Sequence, residues 1–329
     1  MEIDPLLRAL ADPTRLRIMR LLGTMEMAVG ELAQVLGQSQ PRVSRHIRIL
    51  CAAALAERRK EGSWVFLRAA IAEHRDPPLG AATAHLLAVA ERDDAGFAGQ
   101  CAEDRRQLSA IRAARENTAQ AYFARHAGEW DQLRVLHTPD GPVEAALAAA
   151  LEAEPLGSLL DVGTGTGRMA ELFAGAASHV TGFDKSPEML RIARTRLQHL
   201  PADLHNLVQG DFSALPFADA SFDTLLFHQV LHYAQAPERV LAEAARVTRP
   251  GGRIAIVDFA AHDREELRTA HAHARLGFAD EQMLDLLRAA GYAPASPIAL
   301  PGTSLTVKIW TAKRNANPAT LSSGKTPRS

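Results

Sequence analysis

The sequence predicts a two-part α/β protein: a basic helical piece closed by a hairpin, then a parallel sheet covered by helices on both faces. Three observations predict it. From about Leu156 onward, short apolar runs alternate with amphipathic segments, the pattern of strands that each feed a helix. The first of these runs leads into Asp161-Val162-Gly163-Thr164-Gly165-Thr166-Gly167, a glycine-rich turn between strand and helix. The charge is also split along the chain. Residues 1–75 carry 12 Lys or Arg against 8 Asp or Glu, a net of +4, while the other 25 basic and 30 acidic residues give −5. A basic first piece points to a polyanion as its partner.

At 329 residues, 47% hydrophobic and 23% charged, the chain can bury two separate cores. It contains no run of about 18 apolar residues free of charge, so no membrane partner is expected. Met1-Glu2-Ile3-Asp4-Pro5 is acidic and lacks the layout of a signal peptide. Cys51 and Cys101 are too few for a disulfide framework, and a cytoplasmic location is expected.

Residues from about 4 to 70 read as short helices followed by a hairpin, and Leu6–Ile18 turns at Asp12-Pro13 and continues into a helix. Glu31–Gly37 is a short helix with a glycine stop, after which Ser39 can cap another over Gln40–Leu50. There Val43, Ile47 and Leu50 fall at i, i+4 and i+7 and face a core. Gln40, Arg42, Ser44, Arg45 and Arg48 occupy the other faces. A helix-turn-helix places such side chains in the major groove, where Arg reads guanine and neutralises phosphate. Ala56–Arg68 reads as a hairpin turning at Glu61-Gly62, with Arg58, Arg59 and Lys60 on its rise, suited to flanking phosphates. A protein-interaction domain with a solvated basic face is the alternative.

Residues 76–119 read as a helical connector, a candidate dimerisation element, with breaks at Pro77-Pro78-Leu79-Gly80 and Gly96-Phe97-Ala98-Gly99. Strands are expected at Leu159–Val162, Val180–Phe183, Asn206–Gln209, Thr224–His228 and Arg253–Asp258. Helices are expected at Arg168–Ala176, Pro187–Leu200 and Pro237–Val247. Ser304–Ala312 alternates after a Pro/Gly turn and is expected to close the sheet antiparallel. The domain in this half spans 120–313, and the polar tail 314–329 is expected to be disordered.

Glycine leaves no Cβ in the way of a ligand that approaches the backbone. The dinucleotide pattern G-x-G-x-x-G needs a sixth-place glycine, and Arg168 stands there. A glycine loop alone is also an ordinary structural turn. Here, however, further motifs stand at the ends of successive strands: Asp184-Lys185-Ser186-Pro187, Gly210-Asp211-Phe212 and His228-Gln229.

Together these motifs resemble class I S-adenosylmethionine-dependent methyltransferases over residues 120–312, including Thr248-Arg249-Pro250-Gly251-Gly252-Arg253 before the fifth strand. The resemblance implies a Rossmann-like seven-stranded domain that binds S-adenosylmethionine and releases S-adenosylhomocysteine. It places Asp161, Gly163, Thr164, Gly165 and Gly167 at the cofactor, with Asp184 on the ribose hydroxyls and Lys185 beside it. It also implies Asp211 and Phe212 at the adenine, and His228 where the methionine portion meets the acceptor. No catalytic residue is assigned. His228, His232, Tyr233, His262, His271 and His273 are each a candidate base or an ordinary histidine or tyrosine. A metal pair at 271 and 273 is not expected, because those positions face different sides of a helix. Arsenite methyltransferases of this fold use several cysteines, and residues 120–313 contain none.

Residues 4–70 resemble the ArsR-type winged-helix repressors, in ALADPTRLRIMRLL, ELAQVLGQSQPRVSRHIRIL and AERRKEGSWVFLRA. The resemblance implies a homodimer that binds a double-stranded DNA operator through Ser39, Gln40, Arg42, Ser44, Arg45, Arg48, Arg58 and Lys60. Many members sense metals through a Cys-x-Cys pair. The matching stretch here is Ala28-Val29-Gly30, so no metal is expected and sensing passes to the second domain. Two functions follow. One is a DNA-binding regulator whose fused domain methylates a small molecule, senses either cofactor form, or both. The other is a small-molecule methyltransferase whose winged helix serves only dimerisation or regulation.

Overall fold

The computed structural model describes residues 3–70, 78–134, 140–302 and 304–316. The chain divides into two compact units, Met1–Ala119 with Asp263–Glu265, and Gln120–His262 with Glu266–Ser329.

The first unit begins with α1 (Ile3–Leu10) and α2 (Pro13–Leu22). Asp12 caps α2 by accepting the Arg15 N–H at 3.1 Å, and Pro13 takes the first helical position, where its missing N–H costs nothing. After β1 (Met27–Ala28) come α3 (Val29–Leu36) and α4 (Gln40–Ala52), then the hairpin β2 (Ala56–Glu61) and β3 (Trp64–Ala69). Gly37 ends α3 in the left-handed region at φ 62°, as a C-terminal glycine commonly does. Ser39 stands at the N-cap of α4, but its side chain makes no capping bond. The strands form a three-stranded antiparallel sheet in the order β1-β3-β2. Val43, Ile47 and Leu50 are buried in the core.

Two helices, α5 (Pro78–Asp93) and α6 (Ala95–His126), follow. The expected break at 96–99 is absent, and those residues form the first turn of α6. Asp94 interrupts the helices instead, its carboxylate accepting the N–H groups of Gly96 and Phe97 at 2.9 and 3.0 Å. Residues 78–119 are also more than a connector. Leu87 and Leu108 lie in the first unit's core, and buried Asp104 holds Arg17 through two bonds of 2.8 and 2.6 Å. Arg112 likewise pairs with buried Glu31, both bonds at 3.0 Å. Pro77 lies outside the described residues.

In the second unit a 3₁₀ turn (Ala127–Glu129), α7 (Trp130–Arg134) and α8 (Asp140–Leu151) precede the sheet. Then follow β4 (Ser158–Val162), α9 (Arg168–Phe173), β5 (His179–Asp184), α10 (Pro187–Leu197), β6 (His205–Gln209) and β7 (Phe222–His228). After a 3₁₀ turn (Leu231–Tyr233) come α11 (Pro237–Val247), β8 (Thr248–Phe259), α12 (Glu266–Ala270) and α13 (Asp280–Ala289). The last strands are β9 (Tyr292–Pro294), β10 (Ile298–Pro301) and β11 (Thr306–Arg314).

The sheet runs β10-β11-β8-β7-β4-β5-β6, with β9 also paired to β11. Strands β6, β5, β4, β7 and β8 are parallel, and β11 is antiparallel to β8. Eight strands thus fill seven positions, because β9 and β10 pair with different stretches of β11. Pro294, Pro297 and Pro301 flank or end these two short strands, and proline is confined to such edges because it cannot donate to a ladder. That also hid both strands in the sequence, where β11 was expected to be the last. Arg314 ends β11 rather than opening a tail, and residues 317–329 lie outside the described set. One apolar cluster centres on Phe183, Phe227 and Trp310 and another on Leu147, Leu226 and Val257, as expected for a sheet covered on both faces. Among the described residues no helix is long and apolar enough to cross a membrane.

Candidate functional site

Strands β4, β5 and β6 are adjacent and parallel, so their C-terminal ends share one edge of the sheet. The glycine loop leaves β4 there. Gly163, Gly165 and Gly167 all adopt positive φ, at 73°, 54° and 84°, a region that costs a residue with a Cβ about 1–2 kcal/mol. Their surroundings differ. A Cβ on Gly163 would sit 2.3 Å from Val230 Cγ2, and one on Gly167 3.0 Å from Ala193 Cβ. A Cβ on Gly165 would meet nothing nearer than Trp130 Nε1, at 3.6 Å. Gly163 and Gly167 therefore serve close packing, whereas a Cβ at Gly165 would stand in ordinary van der Waals contact with the Trp130 ring.

Polar groups of the loop are spent within it and on strand β5. Gly163 and Thr164 N–H groups donate to Phe183 O at 2.7 and 3.0 Å, and Gly167 N–H donates to Thr164 O at 2.8 Å. The Thr164 hydroxyl donates to Asp161 Oδ2 at 2.6 Å. Asp161 and Thr164 are both buried, so they shape the loop from beneath.

Asp184 ends β5. Its Oδ2 accepts the Gly165 N–H at 2.9 Å and its Oδ1 the Ser186 N–H at 2.8 Å. Each oxygen keeps a lone pair for a further donor. Burial pushes this carboxyl above its ordinary range, against the opposing pull of the Ser186, Gly165 and Lys185 N–H groups. Ser186 caps α10 by accepting the Met189 N–H at 3.2 Å.

Beyond β6, Asp211 accepts Lys185 Nζ at 2.7 Å on Oδ2, and the Ser213 N–H and hydroxyl at 2.8 and 2.6 Å on Oδ1. Burial pushes the Asp211 carboxyl up, but these donors outweigh it and hold it at about 2. A depressed carboxylate contributes stability above its unfolded value, and loses it as pH falls through the folded one. In Lys185→Met, Asp211 is therefore expected to titrate nearer the ordinary value of about 3.9. Acid unfolding should then begin at higher pH; an unchanged Asp211 titration by carboxyl-carbon NMR would remove Lys185 from this account. Phe212 is partly buried against the second unit's core.

His228 is buried at the end of β7, and Gln229 follows at φ 51°. A residue other than glycine held there stores backbone strain, as residues beside ligand sites often do. Tyr233 is partly buried, and desolvation holds its hydroxyl well above the ordinary range, so at neutral pH it stays protonated and is no base. His271 and His273 do not lie on a helix as expected: α12 stops at Ala270 and Ala272 turns at φ 59°. That turn brings the two rings within 6.4 Å, and Tyr122 Oη lies 2.8 Å from His271 Nδ1.

In the first unit, Ser39, Gln40, Arg42, Arg45 and Arg48 are exposed on α4, with Ser44 partly so. Strand alternation separates the hairpin cations. Arg58 and Lys60 are exposed, while Arg59 points the other way and pairs with Glu26 and Glu61, each at 2.9 Å. Gln40, Ser44 and Arg48 join Arg58, Trp64 and Arg115 around one cavity of about 440 Å³.

Residues 160–256 match the family described as "Methyltransferase domain" and residues 12–58 the family "Bacterial regulatory protein, arsR family". One chain thus carries a segment similar to arsR-family regulatory proteins and a segment similar to methyltransferase domains. Over 101 residues it is 42% identical to a demethylmenaquinone methyltransferase of Tropheryma whipplei (strain Twist), covering 31% of this chain and 41% of that one. It is 35% identical over 177 residues to an uncharacterised 37.1 kDa protein in transposon TN4556 of Streptomyces fradiae, covering 49% and 50%. The chain spans about half or less of the length of these curated relatives. A chain in the complex of the Haloferax volcanii Trm112 methyltransferase activator with a methyltransferase superposes with a TM-score of 0.50. That match has 21% identity and covers 59% of this chain and 97% of the other; it shows the fold.

Sequence patterns alone did not reveal several residues of the methyltransferase domain's site. Trp130 faces Gly165 and packs against Phe123, with ring centroids 5.4 Å apart. Asp131 accepts the Thr166 hydroxyl at 2.7 Å and also pairs with Arg196. The only local hint was a tryptophan in a chain that is 5% aromatic.

Proposed function

We propose that the chain is a DNA-binding transcriptional regulator whose methyltransferase domain binds S-adenosylmethionine, methylating a small molecule, sensing either cofactor form, or both. One observation carries the reading. The glycine loop, Asp184 and Asp211 stand at the C-terminal ends of the neighbouring parallel strands β4, β5 and β6, where open α/β sheets bind ligands.

The residues fit the cofactor. Gly165 lies beside the Asp184 carboxylate, whose two oxygens are fixed by backbone N–H groups and can accept further donors, which suits the paired hydroxyls of a ribose. Asp211, anchored by Lys185 and Ser213, would accept from the adenine amine while Phe212 supplies apolar cover. His228 and Gln229 would line the methionine end. Bound there, S-adenosylmethionine supplies a methyl group on sulfonium sulfur for an in-line displacement, which asks the protein mainly for alignment.

For the regulatory domain, the exposed Gln40, Arg42, Ser44, Arg45 and Arg48 would enter the major groove of a double-stranded operator. Ser39, Arg58 and Lys60 would meet its phosphates. A homodimer would supply the second half-site. Ligand would alter operator affinity only if it bound the DNA-competent and incompetent states unequally.

A gel shift with the upstream promoter, run without ligand and with each cofactor form, tests the regulator. No shift under any condition removes it. Arg45→Ala is expected to weaken promoter binding about 10- to 100-fold, the worth of a base contact of about 1–3 kcal/mol, with S-adenosylhomocysteine affinity unchanged. Loss of both signals unfolding instead. The enzyme-only alternative rests on curated relatives named as methyltransferases, and a tritiated-methyl transfer screen over small acceptors tests it.

A further inference from the structure

A buried histidine–carboxylate pair lies at the end of β7 and β8, unused by the cofactor contacts. His232 stands in the 3₁₀ turn Leu231–Tyr233 and Asp258 near the end of β8. His232 Nδ1 lies 2.7 Å from Asp258 Oδ1, and the His232 backbone N–H donates to Oδ2 at 3.1 Å. The Phe259 N–H also donates to Oδ1, at 2.8 Å. The side chains are 2% and 0% exposed. A carboxylate only accepts, so the proton of the neutral ring belongs on Nδ1 and the lone pair on Nε2.

That Nε2 is enclosed and has no hydrogen-bond partner. A buried nitrogen left unmatched costs free energy, and in a native structure it asks for a reason. The surrounding walls are rings: Tyr233 and His273 at centroid distances of 4.1 Å and Phe259 at 5.2 Å. Val230, two residues before His232, is the side chain against Gly163. The pair therefore belongs to the same loop layer as the cofactor motifs.

We propose that His232 is the catalytic base of the methyl transfer: once the rings around Nε2 part to admit a protic acceptor, a hydroxyl or N–H on a flat ring, it takes the acceptor's proton. This rests on the reading of the glycine loop as the methyl donor's site. The bond formed joins the acceptor's heteroatom to the methyl carbon. The bond broken is carbon–sulfur in the sulfonium donor, and its electron pair stays on sulfur. The acceptor's proton passes to Nε2. Asp258 is the positioning residue, fixing the tautomer and offsetting the charge of the imidazolium, as the carboxylate of a catalytic triad does.

The probe is 4-nitrophenol, whose anion is yellow, added to S-adenosylhomocysteine-loaded protein at mildly acidic pH. Wild type is expected to generate anion beyond the buffer control, and His232→Asn to lose that signal while keeping its S-adenosylhomocysteine affinity by calorimetry. Asp258→Asn keeps the volume and serves should the first variant fail to fold. Nitrogen-15 spectra should show Nδ1–H on His232 in wild type and a shift toward Nε2–H in Asp258→Asn, whose amide can donate to Nδ1. On any acceptor found by the transfer screen, His232→Asn should lower kcat/KM about 10²- to 10⁴-fold, the usual worth of general-base catalysis. If wild type does not bind S-adenosylhomocysteine, the donor-site reading fails and this proposal with it. If binding is intact but wild type and His232→Asn ionise the phenol equally, or neither does, or wild type carries Nε2–H, the base alone is overturned.

Discussion

Asp184→Ala is expected to lower the affinity for S-adenosylhomocysteine about 100- to 1,000-fold, roughly 3–4 kcal/mol. The ribose would lose two hydrogen bonds to a charged acceptor, each worth about 1.5–3 kcal/mol. The geometry explains why both are lost together. Each oxygen of Asp184 already takes one backbone N–H, from Gly165 at 2.9 Å and Ser186 at 2.8 Å, which fixes the carboxylate plane. Asp184→Asn should fall between wild type and alanine, because one amide edge would then face an N–H it cannot accept. Calorimetry with a circular dichroism control measures both, and unchanged affinity in the alanine variant refutes the ribose assignment. The sign of the pH dependence also follows. Burial raises this carboxyl, and its anion is the form that accepts from hydroxyls. Affinity should therefore fall as pH falls, starting above the range of an ordinary aspartate near about 3.9.

Gly163→Ala is expected to destabilise the methyltransferase domain by about 2–5 kcal/mol, against about 1–2 kcal/mol for Gly251→Ala. Both glycines are left-handed, at φ 73° and 78°, so the conformational strain of a Cβ is shared. Only Gly163 adds a collision: its Cβ would lie 2.3 Å from Val230 Cγ2 and 2.8 Å from Val230 Cβ, whereas Gly251 has nothing within 4 Å. Carbon atoms pack comfortably at about 3.5–4.0 Å, so Val230 would have to move by more than an ångström. Its neighbour Gln229 already sits at φ 51°, which leaves that backbone little freedom. At about 2–4 °C per kcal/mol for a domain of this size, Gly163→Ala should lower Tm by about 4–20 °C and Gly251→Ala by about 2–8 °C. Equal shifts would mean that strain, not the Val230 contact, governs the loop.

The strand ends were legible because their signals are local. A run such as Leu159–Val162 followed by glycines states where a strand stops, and Ser186-Pro187 states where a helix starts. The residues that complete the site have no such signal. Trp130 reaches Gly165 from a helix before the sheet begins. His232 and Asp258 are 26 positions apart and meet because β7 and β8 are neighbours. The histidines at 271 and 273 were expected on a helix, and the positive φ of Ala272 is a backbone fact that alanine does not announce. Strands β9 and β10 were missed because their prolines look like loop.

By itself the sequence indicated the two kinds of domain, the strand–helix alternation from β4 to β8 and the positions of Asp161, Asp184 and Asp211 at strand ends. Hydrophobic period and glycine's freedom are properties of neighbouring residues and need no third dimension. Tertiary structure decided what each polar group spends itself on. It commits the Thr164 hydroxyl to Asp161 and Arg59 to Glu26 and Glu61, sets the Trp130 ring against Gly165 and holds a bare nitrogen on His232. Hydrogen bonds form over about 3 Å, and which groups come that close is set by strand order and packing.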